Sequence, residues 1–204
     1  MINVASEGGL STITLCRPEK ANALTRTMLE ALSAAVERAA VRGDRALILT
    51  GAGAVFSAGA DLDEARAGLA SDPIWEELSA RAAGFPGLTV AALNGTAAGG
   101  SLGMVLACDV RLAVPGTKFF YPVMRLGFLP QPSDPGRLVS LVGRARASLI
   151  LLAGQKIAAD EALAWGLIDR IVAPEALLDQ ARELAADGLA APPGHAAAIK
   201  RMLV

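Results

Sequence analysis

Two small-residue loops, Phe56-Ser-Ala-Gly-Ala-Asp-Leu62 and Asn94-Gly-Thr-Ala-Ala-Gly-Gly-Ser-Leu-Gly103, carry the chemistry this sequence displays most openly. Each follows an apolar run of strand character, Arg45–Thr50 and Leu88–Leu93, and the second leads into Met104–Cys108, which reads as a buried helix. Glycine and alanine at strand ends let a ligand come close to the main chain and leave peptide N–H groups free. Two such loops side by side can aim two donors at one oxygen, the arrangement that stabilises negative charge as it develops on a carbonyl. Gly100 precedes a helix, so its N–H has no intrahelical acceptor and the helix dipole adds to its pull on an anion. The same glycines also serve tight turns, and one loop alone would say no more than that.

Three further stretches lie in register with these loops: Leu15-Cys-Arg-Pro-Glu-Lys-Ala-Asn-Ala-Leu24, Leu126-Gly-Phe-Leu-Pro130, and Gly154 through Ala164-Trp-Gly-Leu-Ile168. With them, and with Leu106-Ala-Cys-Asp109 after the second loop, the chain resembles the enoyl-CoA hydratase/isomerase (crotonase) superfamily over essentially its whole length. Any one motif is weak; five in order are specific. The resemblance implies a crotonase-like α/β spiral of ββα repeats with a helical C-terminal region, a CoA thioester as substrate, no other cofactor and no metal. It implies that the N–H groups of Ala60 and Gly100 form an oxyanion hole for a thioester enolate, with Ala58, Asp61 and Leu62 beside the ligand. Arg17 and Lys20 fall where the family often sets basic residues near the CoA phosphates, although solvated surface charge explains them equally well. Lys200 and Arg201 are candidates for a neighbouring subunit's phosphate, since the family assembles as trimers or dimers of trimers.

The proton-moving groups depart from the family pattern. Hydratases of the family carry one glutamate three residues after the Gly100 position, here Gly103, and a second where this chain has Val123; neither residue can transfer a proton. The acidic position of some isomerases is here Gln131. Asp134, three residues further on, is the nearest substitute, yet Ser133-Asp134-Pro135 also reads as a helix start with Asp134 as N-cap. Tyr121 offers a weak acid or a hydrogen-bond donor, and equally a packed core ring. Asp61 and Asp109 are best explained by charge pairing or capping. Isomerisation, decarboxylation or another enolate reaction is therefore expected over two-glutamate hydration. The alternative is a member that keeps the CoA site, or only the oligomer scaffold, without catalysis.

A rival chemistry is also spelled out. Gly99-Gly-Ser-Leu-Gly103 fits the G-x-S-x-G turn of serine hydrolases, and Ser101, Asp134 or Asp169, and His195 follow in the Ser-Asp-His order. Against it, Asn94–Ala98 separates the strand from the glycines where a sharp elbow needs almost nothing. His195, the one histidine, follows Pro-Pro-Gly at a helix start suited to a capping or surface role.

The elements that must position these residues read as follows. Ile2–Ala5 and Ser11–Cys16 form a hairpin around Glu7-Gly-Gly, and Thr25–Arg42 is an amphipathic helix whose Thr27 and Glu30 suit a capping box. Ser71-Asp72-Pro73 starts a helix through Trp75 and Leu78. Alternating strands and helices predict a largely parallel, buried sheet. Helices dominate after residue 135: Pro135–Val142, Arg144–Ala153, Ala159–Trp165, Pro174–Leu189 and His195–Leu203, with a strand near Ile168–Val172. One domain is expected, a spiral core over 1–134 and a helical, oligomer-forming region over 135–204. Beside the family the chain is short, stopping where the last helices of the pocket and trimer would begin.

With 204 residues, 53% of them hydrophobic, the chain can bury a sizeable core. A formal net charge of −1 marks neither a nucleic-acid nor an anionic-membrane partner. Cys16 and Cys108 lack metal-ligand spacing and read as buried free thiols. No secretory signal and no run of the ~18 apolar residues needed to span a bilayer is visible, so a cytoplasmic protein is expected.

Overall fold

In the computed structural model, which describes residues 1–203, Gly8 and Gly9 turn the chain back on itself because both adopt the positive φ that a two-residue hairpin loop requires (58° and 85°). They join β1 (Ile2–Glu7) to β2 (Leu10–Leu15). After them come α1 (Arg26–Arg42), β3 (Ala46–Gly51), β4 (Val55–Ser57), α2 (Leu62–Arg66), α3 (Ile74–Ala83), β5 (Leu88–Leu93), β6 (Thr96–Ala98) and α4 (Ser101–Ala107). The chain continues with β7 (Val110–Ala113), β8 (Lys118–Phe120), α5 (Val123–Leu126), α6 (Asp134–Val142) and α7 (Arg144–Leu151). It closes with β9 (Ile157–Ala158), α8 (Ala159–Trp165), β10 (Arg170–Ile171), α9 (Leu177–Ala190) and α10 (His195–Lys200).

The main sheet has the order β1-β2-β3-β5-β7-β10, antiparallel at the first pair and parallel thereafter. Its central strands are buried on both faces, as parallel strands under crossover helices must be. Alternation divides their side chains. Leu47, Leu49, Ala91 and Leu93 join the large core with α1, α3 and α4, whereas Ile48, Val90, Ala92 and Leu112 pack with Leu177 and Ala181 of α9. Among the described residues no helix is long and apolar enough to cross a membrane. Cys108 is buried and Cys16 half-buried, both free thiols; burial pushes the Cys108 thiol up to about 12.

Local details correct the sequence reading in three places. The cap of α1 is Thr25, whose Oγ1 accepts the Met28 N–H at 3.2 Å, and not a box of Thr27 and Glu30. The C-terminal helix ends at Lys200, and the Pro174 segment opens as a 3₁₀ turn before α9 begins at Leu177. Most consequential, a second sheet of order β4-β6-β8-β9 exists that periodicity did not reveal. Its strands have two or three residues each, too few to show an alternation. Both candidate loops hang from the ends of these short strands.

Two asparagines fasten the second sheet to the first. Asn22, fully buried and at φ 52°, accepts the Arg17 N–H (2.8 Å) and donates to the carbonyls of Ala52 (2.9 Å) and Val55 (2.7 Å). Asn94 accepts the Gly51 N–H (3.0 Å) and donates to Gly53 O (2.8 Å). Asn22→Ala leaves the Arg17 N–H and Ala52 carbonyl without partners and removes a residue tolerant of positive φ. It should cost about 2–4 kcal/mol in chemical denaturation, against about 0.5 kcal/mol or less for the exposed Glu30→Ala.

Candidate active site

The first loop is stitched to the segment preceding α1. The N–H groups of Ala58 and Asp61 donate to the carbonyls of Ala21 (2.9 Å) and Leu24 (2.8 Å), and Leu24 N–H donates to Gly59 O (2.7 Å). Gly59 N–H goes to Ser57 Oγ (3.1 Å), whose hydroxyl donates to Asn22 O (2.8 Å). Between Ala58 and Asp61, only the Ala60 N–H has no partner among the described residues. The second loop is closed in the same manner. Gly99 N–H donates to Phe120 O (3.0 Å), Ser101 Oγ donates to Ala98 O (2.7 Å), and Leu102 and Gly103 N–H reach the carbonyls of Gly99 and Gly100 (3.0 and 3.1 Å). The N–H groups of Gly100 and Ser101, at the start of α4, have no partner among the described residues.

The two loops are in contact. Gly59 sits at φ 93°, and a Cβ there would lie 2.8 Å from Ala98 O; one on Gly99, at φ 57°, would lie 3.6 Å from Gly59 Cα. No L side chain fits the first position, so the peptides of Ala60 and Gly100 are held as near neighbours. Both border a cavity of about 250 Å³, together with Ala58, Leu62, Trp75, Phe120, Tyr121, Val123, Phe128 and Gln131. Trp75, fixed by its Nε1 donating to Leu69 O (2.8 Å), lies flat against Gly100, where a Cβ would meet ring carbons at 3.1 Å. A side chain at 100 would therefore require the indole to shift by a few tenths of an ångström.

Among the described residues Arg125 is the one charged side chain in this lining, and no carboxylate borders the cavity. Asp134 lies directly behind it. It is not the N-cap of α6, as its Ser-Asp-Pro context suggested: Ser133 holds that position, without a side-chain cap, and Asp134 is the first helical residue. Its carboxyl turns inward, 1% exposed, and accepts the Tyr121 hydroxyl at 2.9 Å on Oδ2. Oδ1 has no hydrogen-bond partner among the described residues; Arg137 Nη1 stands 3.9 Å away. Burial pushes this carboxyl up to about 6, outweighing the Tyr121 hydrogen bond and the Arg137 charge. Burial first and the Asp134 charge second also push the Tyr121 phenol up.

Asp134 occupies space that a side chain at 103 would need. A Cβ on Gly103 would lie 3.0 Å from Asp134 Oδ1 and 3.2 Å from Oδ2. The glycine that reads in sequence as a missing acid is therefore the floor beneath a carboxyl supplied from another helix.

The remaining candidates are placed as follows. Arg17 Nη1 pairs with Asp61 (2.8 Å) at one rim, and that bond chiefly holds the Asp61 carboxyl below its ordinary range; Asp61 also caps α2. Lys20 is exposed outside the cavity lining. Lys200 is paired with Asp109 at 2.8 Å. The serine-hydrolase alternative loses one objection, since β6 ends immediately before Gly99, but the triad does not assemble. Ser101 is fully buried with its hydroxyl spent on Ala98 O, and no hydrogen bond among the described residues joins it to His195, Asp134 or Asp169. Sequence reasoning missed Trp75 as a wall; an aromatic in a short helix carries no mark of what it faces.

Two outcomes follow from the Gly103–Asp134 contact. In an ordinary helix interior Gly→Ala gains up to about 1 kcal/mol, but here the methyl meets the carboxyl, so Gly103→Ala should gain nothing. In an Asp134→Ala background it should become stabilising, with a coupling of about 1–2 kcal/mol in a double-mutant cycle read by urea unfolding. The second concerns pH. The folded Asp134 lies above its unfolded value of 3.8, so its contribution to stability is complete below about 4 and is lost as pH rises through about 6. The stability difference between wild type and Asp134→Asn should therefore fall by at most about 3 kcal/mol across that window.

The enoyl-CoA hydratase/isomerase family model matches residues 5–204. The Bacillus subtilis (strain 168) protein YngF, described as an enoyl-CoA hydratase/isomerase on similarity, is 37% identical over 185 residues, which is 87% of this chain and 71% of YngF. A 4-chlorobenzoyl coenzyme A dehalogenase of Arthrobacter is 36% identical over 205 residues, 95% of this chain and 74% of the dehalogenase. The crystal structure of an enoyl-CoA hydratase from Bacillus anthracis superimposes with a TM-score of 0.91 at 30% identity, covering 99% of this chain and 81% of that one. In fold and in sequence this chain belongs to the enoyl-CoA hydratase/isomerase family.

Proposed function

We propose that the chain binds an acyl-CoA thioester with its carbonyl oxygen between the N–H groups of Ala60 and Gly100, and that it acts on the resulting enolate. The observation that carries this reading is the pair of unpartnered N–H groups on two touching loops that border one cavity. The N–H groups of Ala58, Gly59 and Asp61 are consumed, so an anionic oxygen placed beside Ala60 and Gly100 would meet two donors that have no competing acceptor among the described residues. The apolar and aromatic walls suit the acyl group, and Leu62 and the main chain of Ala58 extend the site outward. Lys20, exposed beside the Arg17–Asp61 pair, is the side chain we assign to the CoA phosphates.

With glycine at 103 and valine at 123, isomerisation or another enolate reaction fits better than hydration by two glutamates. A second reading, an acyl-CoA binder without catalysis, is favoured by the absence of any carboxylate from the described cavity lining. Met124, Leu126 and Leu129 on and after α5, and Leu152 after α7, are exposed apolar side chains that we assign to contacts between copies in a trimer or dimer of trimers.

The test compares two substitutions. Gly100→Ala and Gly100→Pro bring the same Cβ against Trp75, but only proline removes the donor, at a φ of −59° that proline accepts. Bound to the wild type, a carbonyl-labelled acyl-CoA should show a polarised thioester C=O. Gly100→Pro should abolish that polarisation and cost a further ~10²–10³ in any enolate reaction relative to Gly100→Ala, while free CoA binds alike to both. Equal behaviour of the two variants sinks the reading.

A further inference from the structure

Among the described residues no carboxylate borders the cavity, and the nearest one is reached through a tyrosine that does. We propose that Tyr121 is the catalytic acid/base of this site and that Asp134 acts through it, taking up and returning the proton that the phenol passes on. This rests on the thioester reading above and extends it to a residue pair.

Of the residues lining the cavity, Tyr121 and Arg125 are the titratable ones, and a guanidinium does not give up its proton. The Tyr121 hydroxyl donates to Asp134 Oδ2 at 2.9 Å and receives the Gln131 main-chain N–H at 3.4 Å. The ring lines the cavity and its hydroxyl bonds to a carboxyl sealed from solvent. The unpartnered Oδ1 is the second observation. An ionised carboxylate would be expected to fill both oxygens with donors, so a buried one left half-satisfied is poised to accept a proton.

The groups facing Asp134 are few. From the β8–α5 junction comes Tyr121, and from its own helix Arg137, at 3.9 Å and already donating to Ser79 Oγ (2.9 Å). From α3 comes Glu76, which is held by Ser133. Burial opposes ionisation of Glu76, and the Ser133 hydroxyl and N–H overcome that, keeping it below its ordinary range. From α4 comes Gly103, which brings no charge.

The transfer balances without a co-reactant. Tyr121 Oη takes a proton from the acyl α-carbon while its own proton passes to Asp134 Oδ2. The C–H electron pair moves into the enolate, whose oxygen rests on the Ala60 and Gly100 N–H groups. Reprotonation from Tyr121 Oη, at the α-carbon or, where the acyl group carries a β,γ double bond, at the γ-carbon, draws the proton back from Asp134 and leaves that carboxylate ionised.

The experiment is α-proton exchange of hexanoyl-CoA in D2O, followed by NMR, with affinity and thioester polarisation measured on the same samples. In the wild type the exchange rate should rise with pH and level off above about 6, the range to which Asp134 is raised. Tyr121→Phe should lower it at least ~100-fold with affinity changed only a few-fold. Asp134→Asn should lower it comparably and remove the inflection, and Asp134→Glu should restore part of both. Wild-type exchange in Tyr121→Phe, or an unaltered inflection in Asp134→Asn, overturns the proposal; if Asp134→Asn does not fold, Tyr121→Phe decides alone. A wild type that polarises the thioester but exchanges nothing overturns the pair and leaves the oxyanion site standing. Tyr121-dependent exchange without polarisation supports the pair and sinks that site.

Discussion

The close approach of two main chains, Gly59 against Ala98 and Gly99, is the constraint on which the rest of this structure turns. A carbonyl 2.8 Å from where a Cβ would stand leaves one residue type possible at position 59 and one backbone region for it. To hold two loops that near, the fold needs a short parallel sheet beneath them and buried amides around them. β4 and β6 supply the sheet, and Asn22 and Asn94 bind the intervening turn by its own carbonyls and N–H groups. Hydrogen bonds around the contact are then so fully assigned that, among the described residues, the Ala60 N–H stands alone between Ala58 and Asp61 and the Gly100 N–H opens toward the same cavity.

The second tension in the site is electrostatic. A carboxyl 1% exposed, bonded through one oxygen and bare at the other, is an expensive way to start a helix. The ordinary use of aspartate before proline is to cap, facing solvent. Here the side chain is turned into the core by Tyr121, and burial outweighs the hydrogen bond and the nearby guanidinium in setting its affinity for a proton. Strain of this sort, tolerated by a well-packed surrounding, is typical of positions where chemistry is done.

Much of this was legible in the residues. The strands at 46–51 and 88–93, the long helix after Thr25, and the small-residue loops announce themselves by burial pattern and by glycine placement. The second sheet was not legible, because strands of two or three residues carry no period and are defined by their neighbours alone. Asp134 was misread because Ser-Asp-Pro has the same local grammar whether or not the tertiary structure draws the side chain inward. The wall made by Trp75 and the contact of Gly103 with Asp134 escaped for a related reason: what a residue faces across a long stretch of chain is a property of packing and has no local signature.

The shared space between positions 103 and 134 also bears on how such a protein changes over generations. A carboxylate side chain grown from α4 and one supplied from α6 claim the same volume, so neither position is free to vary without regard to the other. Adding the first while the second remains would press two acids together away from water, where they cannot both ionise. The passable order empties one position before filling the other. Between one arrangement of acid and the next therefore lies a protein with neither, whose touching loops and cavity are intact. On this geometry, forms with the cavity preserved and no acid beside it are the natural waypoints between one placement of the carboxyl and another.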